Sequence, residues 1–315
     1  MIESAIALAN VGSARRRLVL FVIALALLLP TAAWAETFNC TEITSLPRTI
    51  STPGHYCLRR NFAQNFGFTI PIDIEADDVV LDCNDHSIRE TAANSNSEGV
   101  YVYRDRSRVT VRHCVIDGFY YGINFISDTL GARDNVIQDN TIVRARETGI
   151  TVWGSGNLIE NNRVTEVQGD PAGSNATGIK VAGVGNVGSG NVIRGNLIAN
   201  FKPNPPSGTP VAIGINLSGL QDTVISGNTI TGLYAHTGGG VYGIIAGTTT
   251  GTSVTDNVLA SPPLPYTAPY DGGNYYGVYL GGTVGEQATN LCSGNQVGHF
   301  NTDILGCNKV GNTEF

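Results

Sequence analysis

Charged residues and helix-forming residues are scarce in this 315-residue chain. Asp, Glu, Lys and Arg together make up only 14% of it, and lysine occurs three times, at Lys180, Lys202 and Lys309. After residue 36, no stretch repeats apolar residues at the 3.6-residue spacing of an amphipathic helix. Glycine, in contrast, is abundant at 39 residues. We therefore expect almost no helix.

The longest apolar run lies near the N terminus. Residues 18–29 follow three arginines and precede Ala33 and Ala35, the small residues that a signal peptidase requires. At twelve residues this run is too short to span a bilayer, and no later segment is apolar enough to do so. The pattern predicts a signal peptide over residues 1–35, and an exported protein, periplasmic or extracellular, with no membrane span in the mature chain.

The rest of the chain is acidic. Residues 1–35 hold three Arg and one Glu, so the remainder carries a formal net charge of about −9. A nucleic acid is therefore not an expected partner. The same sign of charge disfavours a polyanionic ligand unless a cation or a local basic patch screens it.

All six cysteines follow the expected cleavage site, which is typical of an oxidising compartment. They are Cys40, Cys57, Cys83, Cys114, Cys292 and Cys307. Their spacing does not bring four zinc ligands together. Copper handling is an alternative, but the only methionine is Met1 and there are five histidines, so soft ligands for Cu(I) are scarce. We expect no metal and no cofactor.

Two short patterns alternate along the chain. In the first, an apolar residue is followed by any residue, then Asp, Asn or Gly, then Asn, any residue and another apolar residue. Copies of the first pattern begin at Ile137, Ile159, Ile193, Ile225, Val254 and Cys292. The second pattern is a glycine leading a β-branched or other apolar strand, at Gly99, Gly122, Gly149, Gly178, Gly214, Gly243 and Gly277. These glycines lie 23 to 36 residues apart, which suits one coil of a β-solenoid with three short strands.

The two patterns predict an all-β fold, a right-handed parallel β-helix of about eight coils. Alternate side chains then point inward, and stacked coils bury columns of Val, Ile and Leu. The asparagine of the first pattern is expected at the bend between two strands, where it tolerates a left-handed backbone. Stacked asparagines are expected to hydrogen-bond along the axis as a ladder, at Asn140, Asn162, Asn196, Asn228 and Asn257. Of the fifteen possible disulfide pairings, proximity along a solenoid favours Cys40–Cys57, Cys83–Cys114 and Cys292–Cys307.

These repeats resemble those of the parallel β-helix proteins of the pectate-lyase-like superfamily over roughly residues 71–300. The expected organisation is thus the signal peptide at 1–35, an N-terminal cap at 36–70, the β-helix at 71–300 and a C-terminal cap at 301–315, since the open ends of a solenoid must be covered. The resemblance does not select a reaction, because the superfamily includes lyases, hydrolases, epimerases, esterases and members without catalytic activity.

An outward stripe of polar and aromatic residues is expected on the Gly-led strands. Its members are Tyr101, Asn124, Thr151, Lys180, Asn216 and Tyr279, with Tyr103 and Trp153 beside them. A tyrosine-rich loop at 260–276, which includes Tyr270 and Asp271, is expected to wall a groove beside the stripe. Rings and hydrogen-bonding side chains in an open groove suit a chain of sugars. An exposed sheet face with no ligand would carry similar residues, so both interpretations stand.

No complete catalytic motif of the resembled enzymes is present. The Asn-Thr-Asp and Gly-His-Gly motifs of polygalacturonases are absent, as are the Arg-x-Pro-x-x-Arg of pectate lyases and the Asp-Pro-His-Asp of alginate-type enzymes. If the chain is an enzyme, the candidate catalytic residues are Lys180, His236 and Tyr234. Acidic residues do not recur at one outward position, which disfavours a calcium site.

The leading functional hypothesis is an exported protein that binds or modifies a carbohydrate. As an enzyme it would be a polysaccharide lyase, epimerase or glycoside hydrolase, and its partner would be a polysaccharide or other glycan. The alternative is a non-catalytic envelope or cell-surface β-helix that acts as a structural rod and contacts another protein through its loops.

Overall fold

The computed structural model describes residues 39–93, 95–129, 131–169, 175–201, 211–235, 239–260 and 274–315. The expected signal peptide, residues 1–35, lies outside the described residues and stays a prediction. In the described part, helix is confined to one α-helical turn, Val284–Gln287, and one 3₁₀ turn, Val184–Asn186, as the sequence predicts. No helix among these residues is long and apolar enough to cross a membrane.

Three long sheets of short parallel strands make up the fold, and the chain visits sheets 1, 2 and 3 in turn. The strands of sheet 1 are Arg48–Ile50, Ile72–Ile74, Glu98–Val102, Tyr121–Phe125, Thr148–Trp153, Ala176–Ala182, Ala212–Ser218, Val241–Ala246, Tyr275–Leu280 and Thr302–Leu305. Those of sheet 2 are Thr41–Glu42, Gly54–Cys57, Val79–Asp82, Thr110–Arg112, Val136–Gln138, Leu158–Glu160, Val192–Arg194, Val224–Ser226, Ser253–Thr255, Leu291–Ser293 and Asn308–Val310. Those of sheet 3 are Phe62–Gln64, Ser87–Glu90, Val115–Asp117, Thr141–Val143, Arg163–Thr165, Leu197–Phe201, Thr229–Leu233, Val258–Ala260, Gln296–Gly298 and Thr313–Glu314. A small fourth sheet joins Gly188–Ser189, Leu220–Gln221 and Thr249–Thr250.

This architecture is the predicted right-handed parallel β-helix. Sheet 1 stacks ten strands, more than the roughly eight coils expected, because strands of both terminal segments also pair with the stack. Residues 48–64 and 302–314 add their strands to the two ends of the sheets. The cap boundaries at 36–70 and 301–315 stay predictions.

Columns of apolar side chains fill the interior. One column of sheet 1 pairs position by position through nine strands, and every member is at most 2% exposed. It consists of Ile72, Val100, Ile123, Ile150, Ile179, Ile215, Ile244, Val278 and Ile304. Burial of each such side chain contributes roughly 1.5–3 kcal/mol, so the inner columns are the main stabilising feature.

The glycines of the Gly-led pattern lie where sheets 3 and 1 approach each other most closely. A Cβ on Gly122 would lie 2.5 Å from the carbonyl oxygen of Gly149 and 2.6 Å from Ile142 Cγ2. Because real Cβ contacts are not that short, any other residue would force the coils apart. The pattern thus marks a steric corner of each coil.

The asparagine ladder predicted from the first pattern is confirmed. The backbone N–H and side-chain amide of Asn140 both donate to Oδ1 of Asn162, at 3.1 and 3.0 Å. Asn162 repeats this with Asn196, and the same bonds continue through Asn228 and Asn257. The ladder extends beyond the prediction to Asn295 and Asn312.

The expected backbone conformation of these asparagines is wrong. The left-handed residue is the one before each asparagine, for example Asp139 at φ 54° and Gly195 at φ 64°. The asparagine itself points inward and is buried, because its amide must reach both the next coil and a backbone carbonyl. A second, shorter ladder joins Asn135, Asn157 and Asn191 at the start of sheet 2 strands.

The three expected disulfides are confirmed as Cys40–Cys57, Cys83–Cys114 and Cys292–Cys307. The first lies near the beginning of the described solenoid and the last near its C-terminal end, while the second joins consecutive coils. Each closes a loop of 15 to 31 residues, a length at which a disulfide typically contributes about 2–4 kcal/mol.

Replacing Asn162 with alanine tests the ladder. The change leaves the Asn140 N–H without its acceptor and the Ile137 carbonyl without its donor. We expect the free energy of unfolding to fall by about 2–4 kcal/mol in denaturant titrations. The matched change at the exposed Asn301 should cost under about 0.5 kcal/mol. Equal effects at both positions would contradict a stabilising ladder.

Candidate functional site

One row of outward side chains runs across sheet 1, and we call it the outward row. Strand register aligns its members directly above one another: Asp73, Tyr101, Asn124, Thr151, Lys180, Asn216, Ile245 and Tyr279. The six residues of the predicted stripe therefore share one row, which Asp73 extends and Ile245 interrupts. Their role in binding stays a prediction.

The middle of the row is more enclosed than the sequence suggests. Tyr101, Lys180, Asn216 and Tyr279 are half-buried, whereas Asn124 and the neighbouring Thr151 are only 6% and 5% exposed. Short side chains become covered here because longer ones stand beside them on strands about 4.8 Å away.

Two carboxyl groups, Asp73 and Glu98, lie on neighbouring strands at one end of sheet 1. Glu98 accepts a 2.9 Å hydrogen bond from the amide of Asn124, and it belongs to the same strand as Tyr101. Burial, followed by the nearby charge of Glu75, raises the pKa of Asp73 to about 6. Burial also raises the pKa of Glu98, with a further contribution from Asp73 and an opposing one from the Asn124 bond. The charge of Asp73 therefore makes Glu98 harder to ionise, in addition to the effect of burial.

Two tyrosines, Tyr101 and Tyr121, lie near Glu98 on the same and the neighbouring strand. Burial, Glu98 and Asp73 raise the pKa of Tyr101 to about 12, so its hydroxyl keeps its proton at neutral pH. Tyr121 donates a 2.9 Å hydrogen bond to Glu147, which Tyr120 also contacts. Burial and the Glu147 carboxylate raise the pKa of Tyr121 as well. These phenols are hydrogen-bond donors rather than bases.

Sequence reasoning missed Asp73, Glu98, Tyr121 and Glu147. A signal for two of them was present, because Glu98 and Tyr121 each directly precede a glycine of the Gly-led pattern. Register shows that this position forms a second outward row: Glu98, Tyr121, Thr148, Thr177, Ile213, Tyr242, Tyr276 and Thr302.

Three side-chain oxygens of the outward row are buried without a hydrogen-bond partner in the protein. They are Asp73 Oδ1, Asn124 Oδ1 and Thr151 Oγ1. Tyr101 stands between the first two, and Asn124 and Thr151 are adjacent. Buried polar atoms normally have partners, since an unmade bond costs about 1–3 kcal/mol. Three such atoms in one row mark this face as a candidate ligand site.

A second group of tyrosines lies toward the other end of the two rows. The rings of Tyr242 and Tyr276 stack at 5.6 Å with planes 16° apart, and Tyr279 packs 5.1 Å from Tyr276. At the carboxyl end, Tyr103 packs edge-on to Tyr101 at 6.2 Å. Aromatic rings therefore flank the polar middle of the face on both sides.

The other predicted site residues are more scattered. Trp153 is half-buried at the end of its strand, paired with Ala182. Tyr234 follows the sheet 3 strand Thr229–Leu233, so it does not belong to the sheet that carries Lys180. The predicted residues His236, Tyr270 and Asp271 lie outside the described residues, as does most of the loop 260–276.

The pKa of Asp73 gives a testable pH dependence. The folded-state value of about 6 lies above the ordinary 3.8, so the folded chain holds this proton more tightly than the unfolded chain does. The contribution of protonated Asp73 to the free energy of unfolding is complete below pH 3.8, and it is lost as the pH rises to about 6. The thermal midpoint of Asp73→Asn relative to the unsubstituted protein should therefore rise across this window. A difference that does not vary with pH would contradict the burial of Asp73.

Comparison with known proteins adds a family likeness. Residues 63–208 match the family model described as periplasmic copper-binding protein (NosD). No curated protein matches the sequence of this chain.

Three solved structures share the fold. An alginate lyase from Paenibacillus sp. str. FPU-7 is 15% identical with a TM-score of 0.52, over 84% of this chain and 90% of the lyase. The enzymatically active domain of bacteriophage CBA120 tailspike protein 2 is 14% identical, with a TM-score of 0.51, over 85% of this chain and 38% of that one. The periplasmic alginate epimerase AlgG is 11% identical, with a TM-score of 0.50, over 84% and 69%.

Identities this low establish the fold and not the reaction. The repeated coil of three parallel sheets, the asparagine ladder and these likenesses agree with one another. The chain has the right-handed parallel β-helix fold that these solved structures share.

Proposed function

We propose that this protein binds a glycan along the outward row of sheet 1 and hydrolyses it at the Asp73–Glu98 end. The observation that carries the proposal is the set of three buried, unpartnered oxygens on Asp73, Asn124 and Thr151. Sugar hydroxyls can donate to all three, and the flanking tyrosine rings suit the apolar faces of sugars. The alginate lyase and alginate epimerase of like fold, whose names describe polysaccharide chemistry, support this class of ligand.

The carboxyl pair favours acid–base chemistry. A carboxyl group with a pKa of about 6, as for Asp73, is partly protonated near neutral pH and can protonate a leaving oxygen. The second carboxyl, Glu98, then takes a proton from the water that attacks the anomeric carbon, or attacks that carbon itself before water replaces it, as paired carboxyls do in glycoside hydrolysis. Tyr101 holds its proton at neutral pH and can donate a hydrogen bond to a sugar oxygen.

A lyase or epimerase reaction with Lys180 as base has less support. Four strand spacings separate Lys180 from Asp73 along the row, or roughly 19 Å at about 4.8 Å a strand. At that separation the two groups do not act on one bond. We assign Lys180 to ligand binding, and Tyr234 and His236 to no step.

The copper-binding description of the matched family does not carry over on the residues described. Within residues 39–93, 95–129, 131–169, 175–201, 211–235, 239–260 and 274–315, no group of three or more His, Cys, Asp or Glu side chains is placed to hold a metal ion. All six cysteines form disulfides. We therefore derive no step through copper.

Substitutions of the two carboxyls test the chemistry. Asp73→Asn and Glu98→Gln should each lower kcat by at least about 100-fold on a hydrolysed glycan. Both side chains keep their shape, so KM should change little. The assay measures new reducing ends over a panel of neutral and uronic-acid glycans, with absorbance of unsaturated products followed in parallel. New reducing ends accompanied by absorbance of unsaturated products would replace hydrolysis with a lyase reaction, because elimination creates both kinds of end. No product from any glycan would contradict catalysis.

Lysine substitutions test the binding row. Lys180→Ala should weaken binding of the same glycan about tenfold, since one charge-assisted hydrogen bond is lost. Lys309→Ala is the matched control, because Lys309 is exposed near the C-terminal end and pairs with Glu314 at 3.2 Å. Calorimetry with the catalytically impaired Glu98→Gln background avoids turnover. Equal affinities for both lysine variants would contradict a ligand on the outward row.

A further inference from the structure

A cavity of about 180 Å³ opens beside sheet 3, away from the outward row. Its walls come from sheet 3 strands, from the turns that follow them and from the segment after Glu90. The polar groups that line it include Arg89, Glu90, Asp117, Arg144, Arg146 and Gln168. Three arginines around one cavity stand out in a chain whose net charge is negative.

Two of these arginines keep donors available. Arg144 pairs through Nη2 with Asp117 Oδ2, and Arg89 Nε lies 3.5 Å from the same oxygen. Their side chains remain 38% and 58% exposed. A guanidinium has five N–H donors, so pairing with a single carboxylate oxygen leaves several of them for a ligand.

Arg146 and Glu90 form the fixed part of the wall. Arg146 is 8% exposed, donates to the carbonyl of Ser95 at 2.5 Å, and lies 5.6 Å from the centre of the Tyr120 ring. Glu90 accepts from the backbone N–H of Phe66 and from the hydroxyl of Ser97. These bonds hold the cavity wall in place.

Asp117 provides a hydrogen-bond acceptor beside the two exposed arginines. Its Oδ2 contacts both exposed arginines, whereas its Oδ1 is buried and has no hydrogen-bond partner. Inorganic phosphate concentrates more negative charge than one carboxylate does, so this oxygen repels phosphate more strongly. A ligand that carries both a carboxylate and hydroxyl groups satisfies the arginines and Asp117 together.

We propose that this cavity binds a small hydroxylated carboxylate, of the size of one sugar-acid unit. The carboxylate lies against Arg89 and Arg144, and a ligand hydroxyl donates to Asp117 Oδ1. The amide of Gln168 offers a further hydrogen bond to the ligand. This site is separate from the outward row, and either proposal stands without the other.

The test is an NMR titration of the full mature chain with sodium glucuronate and sodium galacturonate, with glucose and inorganic phosphate as comparison solutes. We expect at least one of the two sugar acids to bind, and glucose and phosphate to bind at least tenfold more weakly. Arg144→Gln and Arg89→Gln should each weaken that binding about tenfold. Arg194→Gln is the matched control, because Arg194 is exposed on sheet 2 and pairs with Glu160 at 2.7 Å.

Several outcomes would overturn the proposal. They are the absence of binding by both sugar acids, binding of phosphate as tight as theirs, or equal affinities in the Arg144→Gln and Arg194→Gln variants. Lys180→Ala separates the two sites, because it should leave sugar-acid binding unchanged. Loss of sugar-acid binding in that variant would place the ligand on the outward row and exclude the cavity. Unchanged thermal midpoints in all variants establish that they fold.

Discussion

The asparagine ladder fixes the register on which the other features depend. The Oδ1 of Asn162 accepts from Asn140 in the preceding coil, and its amide donates to the Ile137 carbonyl of that coil and to Asn196 Oδ1 in the next. A coil that slipped by one residue would lose these bonds and turn its apolar side chains outward. Because the register is kept through successive coils, residues 22 to 38 apart in sequence stand directly over one another. The apolar columns, the steric glycine corner and the outward row all follow from that repetition.

Much of the fold could be predicted from sequence, because residues that recur once per coil along the chain lie directly above one another in the structure. The first pattern predicted the ladder, the Gly-led pattern predicted the outward row, and proximity of coils predicted the three disulfides. The missed features depend on what surrounds a side chain. The carboxyl group of Asp73 is singled out by burial and by Glu75, and Asp117 by the arginines around it. The left-handed residue before each asparagine was missed because both positions of the turn accept asparagine.

The two proposed sites lie on different sheets and carry different charged groups. The two outward rows place Asp73 and Glu98 near tyrosines on sheet 1, where burial, followed by nearby negative charge, raises the pKa of both carboxyl groups. The cavity beside sheet 3 is lined by three arginines and two carboxylates, Asp117 and Glu90, which makes a local basic patch in an acidic chain. A regular scaffold permits both, because outward positions are free to vary while inward ones are held by packing.

The most direct test of the account is the position of a bound oligosaccharide, mapped by backbone and side-chain NMR shifts in the Glu98→Gln variant. The account predicts the largest shifts at Tyr101, Asn124 and Thr151, with the amide signals of Asn124 among them. Shifts confined to sheet 2 or sheet 3, or no shifts with any glycan, would contradict a ligand site on the outward row.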